Sequence, residues 1–501
     1  MSNQQKQWGA IIIMIALFAM IAFVTNLCSP MAIIVKNQFG ASNFEAQIGN
    51  YGNFIAYLVM GIPSGMLIKK FGYKKTSLIA LATGIVGILV QWLSGSWGGF
   101  ATYLVGAFIS GFCMCMLNAV VNPMLNLLGG GGNTGNQLIQ IGGVFNSSAA
   151  VAVYIIMGAL IGDAAKAKIS DATPALMIAL AIFVVAFIVI SFTKIQEPEQ
   201  HTVKSGVKDR YSAFSFRHFK LGILAIFLYM GLEVGTPTYV LQFLSSDTKE
   251  VCDQKASIMK QYESGAIDSK AAALQIVATD PNVNIEEAKA KGGEEWTSLE
   301  KQLNDTEGKI ANKSITSEKF LKAAPGMGMK AAIVGLIVAV YWLMMLVGRF
   351  VGGAIGAKVS SRVMISTAAT LSLLLVAFGM FAPTDIMANV PGIDWAKLEL
   401  IWVEVPVGIF AFLLVGLCTS VMWGGIFNMA VEGLGKYTAI ASGAFMTMVF
   451  GCAVMVGIQG WVADLTGSFL TSYWVVMFCA AYILFYALIG SKNVNKDIPT
   501  E

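Results

Sequence analysis

The sequence predicts an all-α polytopic membrane protein, with about twelve transmembrane helices in two six-helix halves. Three observations carry that expectation. Hydrophobic residues make up 56% of the 501 residues and charged residues only 12%, about half the roughly 25% of soluble domains. Apolar runs long enough to span ~30 Å of hydrocarbon, about 20 residues each, recur from end to end, and the mean hydropathy is +0.69. A glycine-rich stretch running into a basic turn also occurs at matching places in the two halves, the trace of a duplicated unit.

The N-terminal half, residues 1–194, holds expected spans near 9–37, 46–69, 76–95, 99–128, 138–162 and 173–194. The segment Met1 to Trp8 is polar, and the apolar run after it is too long for a signal-peptide core, so it reads as the first span. A polar, basic linker at 195–218 follows. The C-terminal half comprises 219–246 and 327–490, with spans near 219–246, 327–357, 361–383, 399–433, 437–464 and 468–490, and a tail at 491–501. Lys and Arg placement sets the expected orientation. The turns with Lys69, Lys70, Lys74 and Lys75, the linker with Lys204, Lys208, Arg210 and Arg217, and the turn with Lys358 and Arg362 share one side with both termini, read as cytoplasmic. The opposite turns around Ser42, Ser96 and Thr466 are nearly free of basic residues.

Residues 247–326 break the pattern as a hydrophilic insertion between helices 7 and 8, placed outside by the parity of spans. Its stretches Glu286 to Lys291 and Glu294 to Leu303 read as short surface helices, interrupted at Asp280-Pro281 and Gly292-Gly293. A small helical cap or partly disordered insertion is one reading, and a docking or substrate-gathering segment the other.

Several function classes fall away. The net charge of +4 forms no basic tract, which argues against nucleic acid. Of seven cysteines, six (Cys28, Cys113, Cys115, Cys418, Cys452, Cys479) fall in apolar spans and Cys252 sits alone in the insertion, with no metal spacing or disulfide framework. Both histidines, His201 and His218, are assigned to the linker. Gly129 to Gly132 lacks a following Lys-Ser/Thr, so it is a turn and not a phosphate loop. No nucleophile–base pair lies in the spans, no cofactor is expected, and the chain does not read as an enzyme.

The duplicated stretches are Gly65-Met-Leu-Ile-Lys-Lys-Phe-Gly-Tyr-Lys-Lys75 after the second span and Gly348-Arg-Phe-Val-Gly-Gly-Ala-Ile-Gly-Ala-Lys358 after the eighth. The first resembles the loop motif of the major facilitator superfamily, with Lys69 where that motif has Asp, a departure typical of the fucose–galactose–glucose permease branch. Ile62-Pro63-Ser64-Gly65, Asn122-Pro123 with Leu127-Leu128-Gly129, Phe145-Asn146-Ser147, Met422-Trp423, Gly433 to Thr438 and Gly460 to Asp464 resemble motifs of the same branch, in order. The resemblance covers the chain apart from the insertion. It implies a secondary transporter importing a monosaccharide by alternating access, with Gly65, Lys69, Lys70, Gly72, Lys74, Arg349 and Lys358 as conformational loop residues. It also implies a multi-pass protein of the inner (plasma) membrane, monomeric by default.

Polar groups in hydrocarbon are costly unless satisfied, so those in mid-span mark partners or an aqueous path. Asn26, Asn118, Asn122, Asn146, Glu233, Trp423 and Asn428 are the candidate sugar contacts. Amides and a carboxylate match the donors and acceptors of sugar hydroxyls, and Tyr239, Tyr341, Trp342 and Trp423 offer stacking faces. Each asparagine could equally tie two helices together, and Asn122 could serve carbonyls freed by Pro123. Glu233, in Tyr229-Met-Gly-Leu-Glu-Val-Gly-Thr-Pro237, is the one acidic residue deep in an apolar span. It suits a group that loads and releases a proton.

The resemblance has gaps. In proton-coupled members of the branch, an Asp late in span one and a Glu in span four are expected; here those positions hold Ser29 and Asn118. The Arg-Leu-Asn before the fifth-span Phe-Asn-Ser is not reproduced either. Coupling therefore falls to Glu233, or the protein is a facilitator or uses another ion. A related solute such as an amino sugar or uronic acid, and a sugar-binding membrane sensor, remain the alternatives.

Overall fold

The computed structural model describes residues 8–39, 43–97, 99–161, 173–193, 211–280, 283–313, 315–329, 331–394, 399–495 and 497–499. Side chains at 27–50 and 153–160, and a few others, lie outside this description, as do Asp163, Pro281 and most of the expected linker (194–210) with His201. Span 1 is Trp8–Phe39. Spans 2 and 3 are continuous in Asn43–Leu93, broken only at Gly72, whose φ of 82° suits glycine and turns the chain between them. Spans 4, 5 and 6 are Gly99–Leu128, Gly132–Ile161 and Thr173–Phe192.

Span 7 is Arg217–Ser245, so His218 belongs to this helix and not to the linker. Spans 8 and 9 are Ala331–Ile355 and Ser361–Phe381. Spans 10 and 11 run over Gly408–Val431 and Gly435–Thr466, and span 12 over Phe469–Gly490. By length and apolarity alone, nine described helices can cross a membrane, the merged spans 2 and 3 counting once. The turns at 129–131, 356–360 and 432–434 share one end of the bundle with the start of span 7, called here the linker end. The opposite end carries 246–329 and is called the insertion end.

Two features at the insertion end were only partly visible in the sequence. Span 10 begins at Gly408 because the residues before it form a hairpin, β1 (Met387–Asp394) and β2 (Glu399–Pro406), with Asn389 opposite Glu404. The run Leu-Ile-Trp-Val-Glu-Val is apolar enough to pass for a helix start, but its β-branched, alternating character favours a strand. Glu404 thus lies on a strand, and Trp402 is 70% exposed.

The insertion is a folded helical cap. Helices Lys249–Glu263, Ser269–Ala278, Ile285–Lys291, Gly293–Ala311 and Ser317–Lys322 enclose two small cores, around Met259, Ala273 and Ile310 and around Val277, Ala288 and Leu299. The expected break at Gly292-Gly293 is a double positive-φ turn at 64° and 70°. Thr248, Asp268, Asn284 and Thr316 cap four of these helices by accepting backbone N–H bonds. The cap is clamped where it leaves and rejoins the bundle. The N–H groups of Gly326, Met327, Gly328 and Met329 donate to the carbonyls of Asp247, Phe243, Ser246 and Leu244 at 2.7–2.9 Å.

The halves meet where small residues let backbones approach. Gly61 and Gly65 of span 2, one helical turn apart, face Ala439 and Gly443 of span 11. A Cβ on Gly443 would lie 2.7 Å from the Gly65 nitrogen, so the two backbones are in contact. Span 8 meets span 5 through Gly352 and Gly356, which lie against Gln140 and Gln137. Spans 1 and 7 pack within their own halves.

Candidate functional site

Proline chemistry sets up the first tie between halves. Pro123 has no N–H to give to the Ala119 carbonyl one turn earlier. That carbonyl instead accepts the Ser442 hydroxyl of span 11 at 2.8 Å. Asn122 therefore does not serve the carbonyl freed by Pro123. Its amide donates to the Asn118 carbonyl (3.0 Å), and its side-chain oxygen accepts the Trp423 indole N–H of span 10 (3.2 Å). Asn118 donates to the Tyr57 hydroxyl at 2.7 Å. Both asparagines are buried, Asn122 completely.

A second tie closes the linker end. Asn126 donates to Asn428 at 2.6 Å, and Asn428 donates to Ser361 at 2.9 Å, a chain across spans 4, 10 and 9. Asn428, expected as a sugar contact, is buried here close to the turn after span 10. Gln140 and Gln137 of span 5 donate to the carbonyls of Val421 and Gly353 at 3.0 and 2.9 Å. Among the described residues, these hydrogen bonds between the halves lie toward the linker end.

A partly accessible polar group joins spans 5 and 8 farther from the linker end. Arg349 of span 8 reaches across to span 5, where one guanidinium nitrogen donates to the Gly143 carbonyl (2.9 Å), the Asn146 side-chain oxygen (3.1 Å) and the Ser147 hydroxyl (2.6 Å). Asn146 in turn donates to the Phe18 carbonyl of span 1 at 2.8 Å. Glu233 of span 7 is half-buried one turn after Tyr229, whose hydroxyl donates to the Thr419 carbonyl at 3.3 Å, and it lies in the field of Arg349. Trp423 packs its ring 6.1 Å from that of Tyr229 and 5.6 Å from Phe445. Asn26 is half-buried and turns its amide back to the Ala22 carbonyl at 2.8 Å.

The structure therefore sorts the predicted residues. Asn26, Asn146, Glu233 and Trp423 remain partly accessible, whereas Asn118, Asn122 and Asn428 are buried in ties. Tyr239 and Tyr341 are also unavailable for stacking. Tyr239 donates to the Val456 carbonyl, and fully buried Tyr341 shares a hydrogen bond with Thr419. Trp342 is 42% exposed and lies seven residues before Arg349, hence on the same helix face.

Among the loop residues, Gly65 lies under span 11, Lys69 and Lys70 are exposed, and Lys74 donates to the Ser191 carbonyl of span 6 at 3.0 Å. Lys358 sits exposed in the turn after span 8, but Arg349 is no loop residue: it belongs to the helix itself. The Ser29 side chain lies outside the described residues. Sequence reasoning missed Arg349 as an intramembrane cation, along with Asn126, Tyr57, Ser147 and Ser442. Only Arg349 carried a usable signal, a charge inside an otherwise apolar run.

Comparison with solved structures decides the architecture. The fucose transporter FucP in its outward conformation superposes with a TM-score of 0.68 at 18% identity, covering 96% of this chain and 99% of that one. The fold is that of the major facilitator superfamily. The superfamily's own model matches residues 13–250, a stretch that includes the loop motif at Gly65 to Lys75. A glucose/galactose transporter of Brucella abortus is 24% identical over 98% of this chain and 97% of its own length. The L-fucose-proton symporter of Escherichia coli is 18% identical over 96% and 93%. Arg349, Asn146 and Trp423 lie at contacts between the first six spans and the last six, and Glu233 lies near Arg349 on span 7.

Proposed function

We propose that this protein imports a monosaccharide of the glucose–galactose–fucose class together with protons, by alternating access between its two halves. One observation carries the reading: a carboxyl, a guanidinium, an amide and an indole remain partly accessible near the junction of the two halves. The names of the full-length relatives, a glucose/galactose transporter and a fucose-proton symporter, support the substrate class. With Ser29 and Asn118 at the positions where the branch carries carboxylates, Glu233 is the proton carrier, Asn146 and Asn26 meet sugar hydroxyls, and Trp423 stacks on the sugar face.

The protein works as a monomer in the inner membrane. Lys69, Lys70, Lys74, Lys75, Lys358 and Arg362 at the linker end support a cytoplasmic linker end and an extracytoplasmic cap. A second reading, an anionic sugar such as a uronic acid, is favoured by the guanidinium of Arg349 at the site.

Uptake of a labelled panel of neutral sugars, amino sugars and uronic acids by proteoliposomes, with and without an inward proton gradient, tests both. Accumulation above equilibrium only with the gradient supports symport. Equilibration indifferent to the gradient removes the proton role, and uptake restricted to uronic acids moves the assignment to the second reading.

A further inference from the structure

Span 6 leaves a space beside span 1. It packs chiefly on span 3, with Phe183 against Gly84. Toward span 1 it offers Ala181 and Ala186, and span 1 answers with Ala16, side chains too small to close the gap. The result is a groove of about 440 Å³ running along both helices. Leu17, Met20 and Ile190 form its floor, at 1–4% exposure, and Ile178, Val185 and Val189 form its rim, at 37–59%.

The groove is suited to a hydrocarbon chain. Every lining residue is Ala, Ile, Leu, Met or Val, so water has no side-chain partner there. Left empty, the groove forfeits the dispersion contacts of its walls, and an alkyl chain restores them. From Ile178 to Ile190 it covers roughly 18 Å at 1.5 Å per residue, comparable to the ~15 Å depth of one leaflet. That leaflet is the one at the linker end, since Ile190 lies two residues before the end of span 6 and Ile13 five residues after the start of span 1.

The mouth of the groove at that end is basic. Lys74 donates to the carbonyl of Ser191, the residue after Ile190. Exposed Lys75 follows it, and exposed Lys69 and Lys70 precede the turn at Gly72. The sequence holds no Asp or Glu between Glu45 and Asp163, nor any from Thr173 to Phe192, so spans 3, 4 and 6 offer these lysines no carboxylate. Trp8, 59% exposed, opens span 1 at the same end, and indoles of this kind sit at the level of lipid headgroups.

We propose that the groove between spans 1 and 6 binds one acyl chain of an anionic phospholipid of the linker-end leaflet, with its phosphate against Lys74 and Lys75. Juxtamembrane lysines attract anionic headgroups, and the groove fixes one such molecule in place. The chain also backs span 1. Leu17 and Met20 flank Phe18, whose carbonyl accepts the Asn146 amide of span 5, so the lipid supports span 1 against the helix that carries a candidate sugar contact. The site stands whichever sugar or ion the protein carries.

Native mass spectrometry of the full chain, exposed in detergent to phosphatidylglycerol or phosphatidylethanolamine, counts the lipids that survive collisional stripping. The expected result is one retained phosphatidylglycerol, favoured over phosphatidylethanolamine by on the order of tenfold at equal concentration. Ala16→Trp and Ala181→Trp fill the groove and lose the retained lipid of either kind. Gly457→Trp adds the same bulk at an open position of span 11 and keeps it. Lys74→Gln combined with Lys75→Gln keeps a bound lipid and loses the preference between headgroups. Native retention in both Ala16→Trp and Ala181→Trp overturns the groove as the site. Equal retention of the two lipids by the unaltered protein overturns the anionic assignment. Should the tryptophan variants fail to fold, an unchanged preference in the double lysine variant is enough to reject the proposal.

Discussion

Replacing Gly65 with alanine adds one methyl at the tightest crossing between the halves, and the structure sets what it must cost. The new Cβ would stand 2.7 Å from the Ala439 carbonyl oxygen, 3.1 Å from the Ile440 Cα and 3.2 Å from the Gly443 Cα. All three are backbone atoms of span 11, so no rotamer change relieves them. The first contact is about 0.7 Å short of an ordinary 3.4 Å approach, deep in the repulsive wall. Spans 2 and 11 must separate, and overpacking of this kind costs about 1–3 kcal/mol. The penalty applies only to the state with the linker end closed, so it acts as a bias worth roughly 5–150-fold in the open-to-closed ratio.

Spin labels on Thr134→Cys of span 5 and Lys358→Cys after span 8, both exposed at the linker end, read this as a larger long-distance population, and gradient-driven accumulation falls with it. Gly457→Ala is the control, since a Cβ there meets nothing within 4 Å. Unchanged distances and unchanged accumulation in Gly65→Ala would refute the view that backbone contact at this crossing holds the linker end shut.

Two further outcomes follow from other parts of the molecule. Asn428→Ala leaves the buried Asn126 amide and the Ser361 hydroxyl without their partner. It is expected to destabilise the closed linker end by about 1–3 kcal/mol, seen as faster alkylation of a cysteine placed near the Asn126–Asn428 tie; an unaltered rate would rule that tie out as a gate. In the cap, the Glu263 carboxylate accepts the Ser317 N–H at 2.9 Å and hydroxyl at 2.6 Å, which holds its pKa below the usual 4.5. The bond's contribution is therefore complete above that ordinary value and is lost as pH falls through the lower folded value. It is small, because Glu263 is solvent-exposed. Carbon-13 titration of glutamate-labelled protein should place Glu263 below its ordinary range and return it toward 4.5 in Ser317→Ala; no difference between the two would show that Ser317 is not the cause.

The membrane class, the two halves and the helical character of residues 247–326 were legible in the sequence because each depends on local composition or period. Long apolar runs report spans whatever packs against them, and Gly292-Gly293 breaks a helix whether or not the cap is folded. The hairpin at 387–406 was less legible, since a short apolar run such as Leu400 to Val405 satisfies helix and strand patterns alike. The spacing Gly61-x-x-x-Gly65 was also present to be read as a close-packing motif, although its partner was not.

What only tertiary structure decided is which polar side chains face one another. Asn118, Asn122, Asn146 and Asn428 are the same residue type in similar apolar surroundings. Their fates separate through contacts with Tyr57, Trp423, Arg349 and Asn126, three of them more than a hundred residues away in the chain. Arg349 lies 116 positions from Glu233, and its reach to span 5 depends on how closely Gly352 and Gly356 let span 8 approach. An apolar period specifies that a helix is buried in lipid or protein. Which donor meets which acceptor inside it is fixed by the rotation and crossing of helices from different halves, and those follow from packing that no single segment encodes.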